Sequence, residues 1–175
     1  MTEAQLSNAM DAYGSTVYRL ALTRMQNIAD AEDVYQEVFL RLWKQAAEDW
    51  DGDRAKAWLI RTTLNRCADL HRFRLRRPVL SFAEIPDLAQ PEDESRELWE
   101  AVSRLPEKAR TAVHLYYAEG YSAEEISQLM HIPAATVRTR LHRARKQLKE
   151  LLGGIDDETC VSRSDGTNFG PQRSE

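Results

Sequence analysis

The chain has 175 residues, room for one ordinary domain or two small ones, and its 42% hydrophobic and 30% charged residues are the mix of a globular protein. No apolar run approaches the ~18 residues that cross a bilayer, and MTEAQLSNAMDAYG lacks the basic start and apolar stretch of a signal peptide, so a cytoplasmic chain without membrane insertion is expected. The net charge of −4 conceals a partition: net −6 over residues 1–53, +7 over 54–78, −6 over 79–101 and +6 over 135–149. Two cationic blocks between acidic ones suit two local phosphate contacts better than the overall charge suggests, although two solvated helix faces would give the same count.

Apolar residues recur at helical spacing almost everywhere, and the alternation of strands is scarce, so an all-α fold is expected. From about residue 4 to 26, Leu6, Met10, Tyr13, Val17, Leu20, Ala21 and Met25 lie on or beside one stripe. After Asp30, the segment DAEDVYQEVFLRLWK puts Val34, Val38 and Leu42 on a second stripe, with Tyr35, Phe39 and Trp43 beside it. Asp30, Glu32 and Asp33 at its start complement the positive end of the helix dipole. Asp51-Gly52-Asp53 is a stop-and-restart signal, and a third long helix is expected from about Arg54 to Arg76, ending before Pro78. On it, Arg61, Asn65, Asp69, Arg72 and Arg76 follow i, i+4, i+8, i+11 and i+15, a polar ridge. Pairing within the ridge along a surface helix explains that pattern as well as DNA contact does.

Residues 78–95, with three prolines, five acidic residues and no clear period, are expected to be a flexible linker. The chain thus divides into a helical domain at 1–77, the linker, a second helical domain at 96–153 and a polar, aperiodic tail at 154–175 expected to be disordered.

The second domain carries the most specific signal, SAEEISQLMHIPAATVRTRLHRARKQLKELL. Ser122 and Glu125 form a capping box opening a short helix with apolar Ile126, Leu129 and Met130. His131-Ile132-Pro133 make the turn, and Val137, Leu141, Ala144, Leu148 and Leu152 give the next helix one narrow core stripe. Arg138, Thr139, His142, Arg143 and Lys146 fall away from it. A short capped helix, a tight turn and a basic second helix together point to a helix-turn-helix, whose second helix would enter the major groove, rather than to a solvated basic helix in a bundle. Such turns often carry Gly where His131 stands, so a positive φ there costs about 1 kcal/mol.

DAEDVYQEVFLRLW, AWLIRTTLNRCADLHR, the acidic linker and LPEKARTAVHLYYAEGYSAEEISQLMHIPAATVRTRLHRAR, in that order, closely resemble the extracytoplasmic-function sigma factors, compact members of the sigma-70 family of bacterial RNA polymerase. The resemblance covers about residues 8–152. It implies a sigma factor with no cofactor and no catalytic site, partnered by core RNA polymerase (through the β′ clamp helices and the β flap), promoter DNA and an anti-sigma factor. It implies docking on the clamp helices through Asp33, Gln36 and Glu37, and recognition and melting of the minus-ten element through Arg61, Asn65, Asp69, Arg72 and Arg76. It implies recognition of the minus-thirty-five element through Thr136, Arg138, Thr139, His142, Arg143 and Lys146. Thr62 and Leu64 stand where the family more often has Ile and Arg, and Leu70, His71 and Phe73 replace a Tyr- and Arg-rich end, so the preferred promoter sequence is not set by the resemblance.

Rival classes fit less of the chain. His71, His114, His131 and His142 form no HExxH, and no phosphate-binding glycine motif or nucleophile elbow occurs. Cys67 and His71 lie four apart on one helix, but without a second pair they are expected to be packed rather than to hold a metal. A dimeric operator-binding repressor would use the same helix-turn-helix, yet leaves the acidic second helix and the first basic block unexplained. A protein-only adaptor would show no salt-dependent DNA affinity.

Overall fold

The computed structural model describes residues 1–45, 52–76 and 93–153, without the side chains of 75, 76 and 93–96. The described residues contain seven α-helices and one π turn: α1 (Glu3–Met25), α2 (Ile28–Lys44), α3 (Gly52–Arg76), α4 (Asp93–Ser103), α5 (Glu107–Val113), the π turn (His114–Ala118), α6 (Ala123–Met130) and α7 (Ala134–Leu151). The expected tail and most of the expected linker lie outside the described residues. Its last three residues are helical, because α4 already begins at Asp93.

Local signals set most of the ends. A capping box between Thr2 and Gln5 starts α1, and Gln26 at φ 51° ends it. The Asn27 side chain then accepts from the Asp30 N–H and opens α2, three residues before the acidic cluster that looked like its start. The Ser122–Glu125 capping box opens α6 as expected. The segment that reads as one helical stretch from Arg96 is broken at Pro106, whose missing N–H makes it a start for α5 rather than a continuation of α4. Gly153, at φ 72°, follows the end of α7.

Helices α1, α2 and α3 enclose one core, in which Val17, Ala21, Val34, Val38, Phe39, Leu42, Leu59 and Cys67 are buried. Gly14 lets α2 approach α1, since a Cβ there would stand 2.9 Å from the Tyr35 hydroxyl. Asp30 is not merely a dipole partner: it is buried and ion-paired with Arg74, tying the start of α2 to the end of α3. Cys67 is sealed in this core, and burial pushes its thiol up to about 12, while His71 faces Glu107 at 3.7 Å, so the two side chains serve different surroundings.

The second core runs through α5, the π turn, α6 and α7, with Leu115, Ile126, Leu129, Val137, Leu141 and Ala144 buried. It also takes in Leu20, Ile60 and Leu64 from α1 and α3, so the two halves pack on each other. Around that apolar contact lies a polar one. Arg110, 6% exposed, donates to the carbonyls of Thr23 and Arg24 at the end of α1 and to those of Ser103 and Leu105. These carbonyls include helix-end acceptors that would otherwise be buried without donors. Gln26 donates to the Ser103 carbonyl at 2.7 Å, and Arg24 pairs with Glu107. The Glu119 carboxylate, with its side chain 4% exposed, receives Lys56 Nζ at 3.1 Å and the Thr16 hydroxyl at 3.2 Å, both from the N-terminal half. Lys56 also lies 5.4 Å from the centre of the Tyr121 ring.

Candidate nucleic-acid interface

On α3, Arg61, Asn65, Asp69 and Arg72 are all exposed, and the helical period puts them on one ridge. Asp69 and Arg72 pair at 2.9 Å, as expected of a surface helix, whereas Asn65 and Arg61 make no hydrogen bond among the described residues. The Arg76 side chain lies outside the described residues. Ile60 and Leu64, which face the second half, lie on a flank of α3 beside the ridge, and the ridge side chains themselves stay exposed. The packing of the halves therefore leaves the ridge open. Phe73, 54% exposed at the edge of the ridge, was not singled out by its spacing, because an aromatic residue on a helix reads first as core. Trp58 is half-buried against the first core, which fits a packing role.

Helix α7 is held by Val137, Leu141 and Ala144, and the opposite face presents Arg138, Thr139, His142, Arg143 and Lys146, all exposed, with Thr136 half-buried beside them. The α6–α7 turn has the geometry its sequence demands: His131 sits at φ 53°, ψ 47°, and the Ser127 hydroxyl donates to the Ile132 carbonyl at 2.6 Å. Arg138 is paired with Glu124 of α6. Both are exposed, so the pair is weak and can be exchanged for a phosphate. Arg145 turns away from this face and donates to the Tyr117 hydroxyl at 2.7 Å. A shallow groove beside the face is lined by Pro106, Lys108, Arg140, Arg143, Lys146 and Glu150. It adds Lys108 and Arg140 to the cationic surface, and only their charge could have marked them in the sequence.

On α2, Asp33 and Gln36 are exposed, and Glu37 is half-buried and paired with Arg41 at 3.0 Å. Leu40 (50% exposed) and Trp43 (41%) continue the same face, which therefore joins acidic and apolar side chains. Their exposure was not legible from the pattern, because Trp43 borders the apolar stripe.

A helical chain with a polar ridge on one half and a basic helix-turn-helix on the other has the form of a DNA-binding protein. The comparisons specify the class: residues 9–77 match the family model "Sigma-70 region 2" and residues 95–148 match "Sigma-70, region 4". The chain is 32% identical to the ECF RNA polymerase sigma factor SigM of Bacillus subtilis, over 83% of this chain and 94% of the relative. It is 35% identical to the RNA polymerase sigma factor CarQ of Myxococcus xanthus, over 79% and 84%. Similarity to the ECF sigma factor SigE of Mycolicibacterium smegmatis is 34% over 86% of this chain, which spans 62% of that longer relative. The fold is shared with the sigma factor RpoE of Bartonella quintana, solved with the anti-sigma factor NepR, at TM-score 0.71 and 24% identity, covering 85% of this chain and 97% of that one. CnrH, solved with the cytosolic domain of CnrY, matches at TM-score 0.62 and 25% identity, over 89% and 92%. The chain belongs to the extracytoplasmic-function sigma factors of the sigma-70 family, the initiation factors that bring RNA polymerase to promoter DNA.

Proposed function

We propose that the ridge Arg61, Asn65, Asp69, Arg72 and Arg76 contacts the minus-ten element, that Thr136, Arg138, Thr139, His142, Arg143 and Lys146 read the minus-thirty-five element, and that Asp33, Gln36 and Glu37 dock on the β′ clamp helices. The carrying observation is that the described polar side chains of these sets, Thr136 and Glu37 half-buried excepted, are exposed on faces opposite the core stripes of their helices. An Arg on α7 can bond bidentately to guanine, while Asn65 offers an amide to a base edge that duplex DNA hides. Arg61 and Arg72 supply salt-sensitive attraction to the backbone. Lys108 and Arg140 extend the phosphate contact of α7, and Leu40 and Trp43 add apolar area to the clamp face. The chain works by binding alone, in the cytoplasm, with chemistry left to the polymerase. An anti-sigma factor, the kind of partner named for RpoE of Bartonella quintana in its solved complex, is a further expected partner.

Reconstitution with core polymerase tests the reading. Asn65→Ala is expected to reduce promoter opening while sparing core binding and duplex binding by α7. Permanganate footprinting measures this directly. Thymine reactivity equal to that of the parent holoenzyme would return Asn65 to the status of a surface residue.

A further inference from the structure

Two promoter elements named for positions about 25 base pairs apart are separated by roughly 85 Å of duplex, at 3.4 Å per base pair. A compact chain of this length has a radius of gyration of about 16 Å and is only some 40 Å across. With its halves packed together, the chain cannot place the α3 ridge and α7 on both elements at once. The sequence between the halves, residues 78–92, is long enough to let them part, at up to about 3.3–3.6 Å per residue.

The contact that holds the halves together is specific. Arg110 gives its Nε and one terminal nitrogen to the Thr23 and Arg24 carbonyls where α1 ends, acceptors that only the packed arrangement presents, while its other terminal nitrogen is held by Ser103 and Leu105 of its own half. Glu119 is a carboxylate almost without solvent, and its positive partner, Lys56, comes from the other half. Lys56 belongs to the first basic block, so in the packed arrangement Glu119 takes the place beside it that a phosphate could occupy. His71 and Arg24 converge on Glu107 in the same way. The N-terminal half also gives Leu20, Ile60 and Leu64, with Ala57 half-buried beside them, to the joint apolar core that these polar contacts border. Part-buried ion pairs that cross between the halves are suited to opening, because each group regains water or a new counter-charge when the halves separate.

We propose that this sigma factor closes on itself through a polar latch, Lys56–Glu119 and Arg110 on the end of α1, and that the latch must open before both promoter elements are engaged. The inference rests on the assignment of α3 and α7 to the two elements, but its test needs neither DNA nor polymerase. Small-angle scattering of the full chain compares the parent with Glu119→Lys, Lys56→Glu and the double exchange. Neither residue belongs to the proposed polymerase- or promoter-binding sets, and circular dichroism confirms that helicity is kept. Each single reversal is expected to raise the radius of gyration well above that of the parent, and the double exchange, which restores the charge pair, to bring it back. Single variants that scatter like the parent overturn the latch. Expanded single variants that the exchange does not compact overturn it too, since loosened packing rather than a lost ion pair would then be the cause. Failure of the promoter assignment, by contrast, would show in footprinting and leave the scattering unchanged.

Discussion

Arg143 stands where α7 turns its exposed face toward the groove that also contains Arg140 and Lys146. Its guanidinium makes no ion pair among the described residues, in contrast to Arg138, which Glu124 holds. Replacing it by Ala is expected to cost about 1–3 kcal/mol on a cognate duplex and to relax specificity there. Equal losses on cognate and scrambled duplexes, measured by anisotropy at fixed salt, would show that Arg143 only holds phosphate. His131 belongs to the same scale. Its left-handed backbone costs about 1 kcal/mol that Gly would avoid, and the turn between α6 and α7 carries this strain.

Helix α2 turns its stripe of Val34, Val38 and Leu42 inward, leaving Asp33, Gln36 and Leu40 outside. Reversing Asp33 and Glu37 to Lys together is therefore expected to weaken core binding by about tenfold or more, steeply at low salt. The helix itself should survive, because the Glu37–Arg41 pair it loses is a surface pair. Unchanged affinity in a core titration, with helicity intact, would remove α2 from the docking face. Elements of this kind were legible in the sequence because burial follows a period: the stripes of α2 and α7 and the capping box of α6 are where spacing puts them. Elements governed by backbone chemistry alone were less so. The break at Pro106 and the widened turn at His114–Ala118 fall inside one continuous helical pattern. The buried Arg110 and Glu119 escaped notice for a related reason, since a charged residue on a helix is presumed to face water, and only the arrangement of the two halves shows otherwise.

Across the whole molecule, closure is expected to depend on pH. His114 is buried, and its imidazole is pushed down to about 4, chiefly by desolvation and also by Arg19, against the pull of Glu119. Thr23 of the N-terminal half meets Nδ1 at 3.2 Å, Glu119 lies 3.8 Å from Nε2, and Lys56 reaches the same carboxylate. A group whose pKa is depressed from 6.5 in the closed form favours closure fully above pH 6.5, and that contribution is lost as pH falls toward 4. At pH 5.5 the bias toward the closed form should be weaker by roughly tenfold than at pH 8 if opening restores the ordinary value. Scattering at the two pH values measures it: a larger radius at pH 5.5 is expected, and equal radii would count against a link between His114 and closure. The widened turn gives this arrangement a further meaning. In an α-helix, residues five apart point about 140° away from each other; here the Glu119 N–H reaches back to the His114 carbonyl, and the two side chains face one another. One residue of slack in the backbone thus aims Glu119 at Lys56. A descendant that lost that residue would keep α3, α7 and the joint apolar core but turn Glu119 away from Lys56, so the length of one turn would set how firmly this initiation factor holds itself shut.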